Sequence, residues 1–231
     1  MVSFSHSIKG GYMGKVDVYF ADYLVIDDIT EQSSRLLASN GCIIGMPLKL
    51  TWQAESGLFT VSTVGGDVIG TANPKNKLAI RESLENGNDG ACWLSLVWYD
   101  NTDKLYHAEL VYQFYNVKAS QTTERANLDA YTQRTSERLA QGKRPDIALT
   151  GAGWDQVLAT GDWESPDEHP YPIDTKRNSG CVIFKHKRSG TDKLVMGLIA
   201  GKPAAVWGAG AACLILIIVI LFFVCRCAFG A

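Results

Sequence analysis

The sequence lacks a charge excess of either sign, and it lacks the common catalytic signatures. Its 231 residues include 22 Lys and Arg against 24 Asp and Glu, so the formal net charge is −2. That balance excludes both a polyanion and the polycation typical of proteins that coat nucleic acids. The chain has no G-x-S-x-G elbow, no phosphate-binding Gly-Lys-Ser/Thr loop, no H-E-x-x-H helix and no kinase signature. No catalytic residue is predicted.

Metal-binding and secretory patterns are absent as well. Cys42, Cys92 and Cys181 are too far apart to form a C-x-x-C pair, and the first ten residues contain no basic region followed by an apolar run. Cys42 and Cys92 lie in apolar runs, which favours buried and reduced thiols in a cytoplasmic protein. The sequence therefore predicts no secretory signal, no metal site and no cofactor.

The longest stretch without charge covers residues 203–225. These 23 residues include no Asp, Glu, Lys or Arg, and as a helix they would extend about 34 Å, enough to cross a hydrocarbon core of about 30 Å. An apolar run of this length with no polar face favours a membrane span over a buried helix. The residues that define the predicted span are Pro203, Trp207, Gly208, Ala212, Leu214, Ile217, Phe222 and Phe223.

A basic neck, residues 174–202, precedes the predicted span. It carries seven basic and two acidic side chains, a net charge of +5, whereas residues 1–173 carry 14 basic and 22 acidic ones, a net charge of −8. The positive-inside rule then places residues 1–202 in the cytoplasm, in the manner of a tail-anchored protein. Anionic lipid head groups would also attract the neck, although a topology signal alone explains it more simply. Its basic residues are Lys176, Arg177, Lys185, Lys187, Arg188, Lys193 and Lys202.

The predicted span and its boundary offer two further features. Gly208 and Ala212 are four residues apart, a spacing of small residues that lets two membrane helices approach closely. A homo-oligomer is therefore an alternative to a monomeric anchor. Cys225 and Cys227 lie at the predicted membrane boundary, where S-acylation is chemically feasible, and two unmodified thiols are the simpler interpretation.

The region from residue 15 to residue 118 shows a repeated alternation of strand and turn signals. Strands are predicted where β-branched and aromatic residues are concentrated, and the turns fall at Gly- and Asp-rich positions such as residues 55–57 and 65–67. Five or six short strands with one interposed helix predict a small barrel. The predicted strands cover residues 16–26, 48–52, 58–64, 68–70, 92–98 and 107–117.

Helices are predicted at residues 30–41, 73–87 and 120–142. In the second, Asn73 is the expected N-cap and Gly87 follows the last turn. The third is polar apart from one stripe, which favours a helix packed by one edge on the barrel over a helix that binds a partner. The expected apolar faces are Leu78, Ile80 and Leu84 in the second helix, and Leu128, Tyr131, Thr135 and Leu139 in the third.

Several aromatic side chains fall on the predicted strands. Aromatic residues at strand positions are more often core than a platform for a ligand, so a core role is the favoured interpretation. The set comprises Trp52, Trp93, Trp98, Tyr112, Phe114 and Tyr115. Beyond residue 173, strands at residues 181–187 and 193–199 predict a hairpin within the basic neck.

Residues 45–115 contain an ordered set of apolar and glycine motifs. They are Gly45-Met-Pro-Leu-Lys-Leu, Leu58-Phe-Thr-Val, Gly66-Asp-Val-Ile-Gly, a helix that ends in Gly87, and the strand Ala91-Cys-Trp-Leu. This set resembles the HIRAN family of small β-barrel domains. It implies a small barrel, and HIRAN domains bind single-stranded or damaged DNA. The family's nucleotide-holding loop corresponds to residues 53–57, which contain neither its Asn nor its Asp. Because the net charge of −8 on residues 1–173 also opposes phosphate binding, nucleic acid is not an expected partner.

One loop combines a histidine with several carboxylates. Residues 162–172 contain four acidic side chains around His169, a set that includes the ligand types of hard cations and Zn²⁺. The loop lacks regular ligand spacing, so a solvated acidic loop is favoured over a metal site with Asp167 or Glu168. Cys181 and His186 are five residues apart, which on a strand points them to opposite faces and disfavours a nucleophile–base pair.

Taken as a whole, the sequence predicts an α+β, mainly β cytoplasmic head, small-barrel-like (SH3-like or similar) with one or two helices, followed by one transmembrane helix. The expected segments are residues 1–14 as a flexible N-terminus, 15–118 as the barrel, 119–173 as a helical and loop segment, 174–202 as the basic neck, 203–225 as the span and 226–231 as a short tail. The expected function is that of a membrane-held binding or interaction module, with the lipid bilayer and a protein as partners. A ligand-sensing effector that oligomerises through its span, or an enzyme with an unrecognised site, are the alternatives.

Overall fold

The computed structural model describes residues 16–39, 41–85, 89–117, 122–149, 151–173 and 181–184. Within them the chain forms an α+β fold in which strands predominate. The strands are β1 (Val16–Val25), β2 (Leu48–Gln53), β3 (Leu58–Thr63), β4 (Val68–Ala72), β5 (Asp89–Asp100), β6 (Leu105–Val117) and β7 (Val182–Phe184). The helices are α1 (Glu31–Ala38), α2 (Lys77–Glu85), α3 (Thr122–Ala140) and α4 (Gly151–Thr160).

The strands form two antiparallel sheets. One has the order β1-β6-β5-β7 and the other the order β2-β3-β4. β5 and β6 form a long hairpin in which Asp100 pairs with Leu105, and a bulge at Ser95 shifts the register between Leu94 and Leu96. β7 continues the larger sheet by pairing with residues 97–99 of β5.

Backbone hydrogen bonds join the two sheets at both edges. Asp27, just after β1, exchanges two hydrogen bonds of 2.9 Å with Thr71 of β4. On the other side, Leu94 of β5 accepts from the Gly45 amide at 2.8 Å and donates to the Met46 carbonyl at 2.9 Å. Strands β1 to β6 therefore form a strand ring around a common core, in the circular order β1-β6-β5-β2-β3-β4. That core contains Leu50, Phe59, Val61, Ile69, Leu94, Leu110 and Phe114.

Glycine is required where the sheets meet. A side chain at Gly70 would place its Cβ 2.2 Å from the carbonyl oxygen of Asp27, which is closer than any real contact. Gly45 has a φ of +85°, and its Cβ would lie 2.6 Å from the carbonyl oxygen of Ser136 in α3. Gly70 therefore permits the contact of Asp27 with Thr71, and Gly45 permits the close approach of α3 to the other junction.

Three predicted helices are present, with differences at α2. Thr30 caps α1 by a capping box with Ser33, and the predicted stripe of α3 is buried as expected. Asn73 is not the N-cap of α2, because the helix begins at Lys77 and its first hydrogen bond runs from Ile80 to the carbonyl of Asn76.

The predicted apolar face of α2 is also wrong in part. Ile80 is fully buried in the core, but Leu78 is 66% exposed. The two residues are about 200° apart around a helix, so they cannot share a face. Ser83, three residues after Ile80, is the other buried side chain of the helix.

Four helices occur among the described residues. Three of them lie at the predicted positions, so the summary of one or two helices for the head is too low. The unexpected one is α4, which begins with Gly151 and contains Gly153. Glycine is unfavourable inside helices, but here a Cβ at Gly153 would lie 2.7 Å from the Trp163 ring, so the glycine permits close packing of that indole. Propensity predicted no helix because this tertiary contact is invisible in the sequence.

The predicted membrane span, the second strand of the neck hairpin and the flexible N-terminus lie outside the described residues. Among the residues that the structure does describe, no helix is both long enough and apolar enough to cross a membrane.

Candidate functional site

The two faces of β6 are buried against different partners. Ala108, Leu110 and Phe114 face the core of the strand ring. The alternate residues include Glu109 and Gln113, which are polar and also buried. A second apolar cluster covers this other face, formed by Tyr115 together with Leu128, Tyr131, Leu149 and Val157. The polar side chains of β6 therefore lie in a layer between the ring and the segment from α3 to α4.

Arg144 and Glu109 form an ion pair at the centre of this layer. Arg144 follows α3, and its Nη1 donates to Glu109 Oε2 at 2.7 Å while its Nη2 donates to Glu109 Oε1 at 3.2 Å. Each side chain is only 3% exposed. Ser95, at the bulge of β5, donates to the same carboxylate at 2.6 Å. The bulge therefore lets the Ser95 hydroxyl donate a hydrogen bond to the buried Glu109 carboxylate, which has little contact with water.

The remaining donors of Arg144 bind backbone carbonyls of the acidic loop. Nε donates to the carbonyl of His169 at 3.3 Å, and Nη2 donates to that of Pro170 at 3.1 Å. The guanidinium lies between two aromatic rings, with its carbon 4.9 Å from the centroids of both Tyr23 and Tyr171. Arginine presents both a planar fork and a flat cationic face, so it satisfies all of these contacts at once.

His169 packs against the same ring of Tyr23. The two rings are stacked, with centroids 4.0 Å apart and planes 11° from parallel. Burial, with the nearby Arg144 charge, lowers the pKa of His169 to about 4. Burial also raises the pKa of Tyr23 well above its ordinary value, and its hydroxyl donates to the carbonyl of Pro145 at 2.8 Å. At neutral pH both rings are uncharged.

The polar side chains of the acidic loop have partners within the protein. The described residues contain no group of three His, Cys, Asp or Glu side chains positioned to hold a metal ion. The imidazole of His169 is stacked on Tyr23, and two other acids of the loop bind cations of the protein: Asp162 pairs with Arg138 at 2.8 Å and Glu164 with Lys143 at 2.8 Å. The loop is held by protein cations and carbonyl acceptors.

Gln113 and Tyr19 form a second polar contact in the layer. Gln113 Nε2 donates to the Tyr19 hydroxyl at 3.1 Å, and that hydroxyl donates to the carbonyl of Ile147 at 3.1 Å. Burial raises the pKa of Tyr19 well above its ordinary value. Among the described residues, Gln113 Oε1 is buried without a hydrogen-bond partner.

Two of the described cysteines, Cys92 and Cys181, are held in the protonated thiol form. Cys42 and Cys92 are buried, as predicted, and burial raises the pKa of Cys92 far above its ordinary value. Burial also raises the pKa of Cys181, and the neighbouring Asp100 carboxylate raises it further. Its proposed base, His186, lies outside the described residues. Both described shifts favour the thiol over the reactive thiolate.

The members of the predicted aromatic set are buried to different degrees, and the two least buried, Trp52 and Trp93, still pack against the core. Trp98, Tyr112, Phe114 and Tyr115 are buried, as a core role requires, whereas Trp52 and Trp93 are half-buried.

Trp52 lies near the end of β2, next to the turn that leads to β3. It meets Phe59 edge to face at 5.1 Å, and the Arg81 guanidinium lies over its ring at 5.5 Å. Leu78 lies one turn before Arg81 on α2, so the two share a helix face. This end patch, Trp52, Leu78 and Arg81, brings a cation and two apolar side chains to the surface.

The predicted span residues and the seven basic residues of the neck lie outside the described part of the chain. The Arg144–Glu109 pair was missed by sequence reasoning. One signal was available: Glu109 stands alone within a strongly β-forming run, Ala108-Glu-Leu-Val-Tyr. A single carboxylate in such a run indicates either a solvated face or a buried partner, and only the fold identifies Arg144 as that partner.

Comparison of the chain with family models, with curated proteins and with solved structures gave no match in any of the three.

The buried pair generates a prediction about stability. Arg144→Met leaves the Glu109 carboxylate buried without its counterion, so we expect a loss of roughly 3–5 kcal/mol in the free energy of unfolding. Combining it with Glu109→Met should cost less than the sum of the two single changes. Urea unfolding of the full chain in mild detergent measures these differences. Arg35→Met, at a pair whose side chains are both 81% exposed, is the control and should cost less than about 1 kcal/mol. Additive losses at Arg144 and Glu109 would contradict the assignment.

His169 generates a prediction about pH. Its pKa of about 4 in the folded state lies below its ordinary value of 6.5, so the unfolded chain takes up the proton first as the pH falls. The wild type should lose stability relative to His169→Phe between about pH 6.5 and pH 4, because phenylalanine retains the stacking on Tyr23 but does not titrate. Above pH 6.5 the difference between the two should be constant. A difference that is the same at every pH from 4 to 8 would show that His169 titrates normally.

Proposed function

We propose that this chain is a membrane-anchored binding module: a folded body on the cytoplasmic side, held at the bilayer by one span at residues 203–225. The observation that carries the proposal is the stretch of 23 residues without a charged side chain, which matches the thickness of a hydrocarbon core. The +5 neck before it, set against the −8 of residues 1–173, supports a cytoplasmic position for the body.

A binding role for the body is supported by how its polar groups are used. Arg144 directs its donors to Glu109 and to two loop carbonyls, and the described thiols Cys92 and Cys181 have raised pKa values. The contacts of Arg144 therefore hold elements of the fold together, and the two thiols are kept protonated. We infer further that the strand ring is a small barrel of the HIRAN or SH3-like kind, used here without nucleic acid because the body is acidic.

We place the partner contact at the end patch of Trp52, Leu78 and Arg81. Tryptophan and arginine are the residue types that most often dominate protein interfaces. Leu78 is 66% exposed and lies on the Arg81 face of α2. Because Arg81 already pairs with Glu85 at 2.7 Å, a protein partner that offers an apolar side chain is the best fit. The spacing of Gly208 and Ala212 supports a second candidate function, an effector that oligomerises through its span.

The anchor is tested with the full chain in microsomes. We expect it to resist extraction by alkaline carbonate and to be cleaved by external protease within residues 1–202, since the cytoplasmic face of microsomes is outward. The double variant Leu214→Arg/Ile217→Arg should be extracted, because each charge at the centre of a span costs about 2.5–3.5 kcal/mol. Leu214→Ala/Ile217→Ala should remain in the membrane. Extraction of the wild type would refute the anchor, and protection of the body from protease would refute its orientation.

The end patch is tested by partner recovery from native membranes. Leu78→Asp places a carboxylate at the exposed position without disturbing the buried face of α2, so we expect the proteins that co-purify with the wild type to be lost. Thr51→Asp, at an exposed position on β2, should leave their recovery unchanged. If both variants recover the same proteins as the wild type, the patch is not the contact surface.

A further inference from the structure

Part of the acidic loop, residues 167–171, forms a strap that lies along the segment after α3. The two segments pair antiparallel by a short bridge. The His169 amide donates to the Arg144 carbonyl at 2.7 Å, and the Asp146 amide donates to the Asp167 carbonyl at 3.2 Å. The strap is therefore docked through its backbone, as an added strand is docked on a sheet edge.

The side chains of the strap alternate between the body and water. His169 and Tyr171 are half-buried, and Pro170 between them is exposed, which is the alternation of an extended segment. His169 stacks on Tyr23 with ring centroids 4.0 Å apart, and the Tyr171 ring lies 4.9 Å from the Arg144 guanidinium carbon. Two flat rings thus face the body, with an outward-facing proline between them.

The surface below the strap recognises it mainly through backbone carbonyls. Arg144 donates to the carbonyls of His169 at 3.3 Å and of Pro170 at 3.1 Å, whereas the two acidic side chains of the strap are exposed. His169 and Tyr171 each precede a proline, which favours an extended backbone before docking and lowers the entropy lost on binding. Carbonyl acceptors, flat rings and proline are also the features by which proline-containing peptides are bound in aromatic-lined grooves.

The strap lies outside the apolar core. Of the described residues, none from 164 to 173 belongs to either apolar cluster, whereas Trp163, just before them, packs on the second cluster. If the strap detached, Arg144 would keep its two hydrogen bonds to Glu109, and water would reach its other donors. Detachment therefore costs less than unfolding of the strand ring.

We propose that the strap occupies, in cis, a groove of Tyr23 and Arg144 that binds an extended peptide of a protein partner. The peptide that fits carries an uncharged ring, a proline and a second aromatic ring in succession, and it offers two consecutive carbonyls to Arg144. The strap is then a built-in competitor, because the groove is accessible only in molecules in which the strap has detached. The groove is formed by other elements than the end patch, and it does not depend on the membrane anchor.

The binding test uses a fluorescent synthetic peptide with the sequence of residues 165–173 and the full chain in mild detergent. The double variant His169→Ser/Tyr171→Ser removes both rings from the strap and leaves Tyr23 and Arg144 in place. We expect it to bind the peptide at least tenfold more tightly than the wild type, in which the strap competes at an effective concentration on the order of millimolar. Fluorescence anisotropy measures the two affinities.

Two controls accompany this measurement. The double variant Asp167→Asn/Glu168→Gln removes only exposed charges of the strap, so it should bind the peptide as weakly as the wild type does. A peptide with serine in place of both rings should bind none of the proteins. Equal affinity of the original peptide for the wild type and the ring variant, binding to neither, or equal binding of the serine peptide would each overturn the groove.

Hydrogen exchange of the wild type tests the detachment without any substitution, so it decides the matter even where the ring variant does not fold. The amides of Asp146 and His169, which join the strap to the body, should exchange at least tenfold faster than those of Ile26 and Leu94 in the strand ring, after correction for intrinsic rates. Equal rates would show that the strap opens only with the ring, and the proposal would fail. A complex of two chains that excess peptide dissociates would assign the groove to the strap of a second copy instead.

Discussion

The buried ion pair between Arg144 and Glu109 is the interaction on which the arrangement of the body depends. Removing two charges from water is costly, and a pair offsets that cost only when its geometry is good and its other hydrogen-bonding groups are satisfied. Here the pairing is bidentate, Ser95 supplies a third hydrogen bond to the carboxylate, and two loop carbonyls accept from the guanidinium. Because these groups come from β5, β6, the segment after α3 and the acidic loop, a shift of any of the four would leave a buried charge without its counterion or without one of its hydrogen bonds.

The strand ring depends on a different constraint, the close approach of backbones at its two junctions. The contacts that join Asp27 to Thr71 and Leu94 to residues 45–46 connect segments far apart in sequence. The contact of Asp27 with Thr71 forms only if Gly70 has no side chain, since its Cβ would lie 2.2 Å from the Asp27 carbonyl oxygen. At the other junction, the absence of a side chain at Gly45 lets α3 pack closely, since a Cβ there would lie 2.6 Å from the Ser136 carbonyl oxygen. Closing contacts between segments this far apart costs chain entropy. Glycine at the junctions removes the steric cost but not the entropic one, so the apolar core must supply the driving force.

What the sequence could predict follows from how local each signal is. Strands β1 to β6, helix α1 and the stripe of α3 depend on periodicity, capping and turn residues within a few positions, and the structure confirms them. The start of α2, the exposure of Leu78, the helix α4 and the place of His169 depend on residues distant in sequence, so local patterns predicted them wrongly or not at all. His169 illustrates the limit. Its acidic neighbours favoured a solvated loop over a metal site, but Tyr23, more than a hundred positions away, stacks on the ring, and Arg144 donates to the His169 carbonyl.

The division of the charge between two zones gives the proposed anchor and orientation a common physical basis. An acidic body close to an anionic leaflet is repelled by it, and a basic neck is attracted, so the two together favour an orientation in which the least acidic part of the body faces the lipid. Much of the acidity of the loop is neutralised locally, by Arg138 on Asp162 and by Lys143 on Glu164. The four carboxylates of the loop therefore meet less repulsion from an anionic surface than their number alone would suggest.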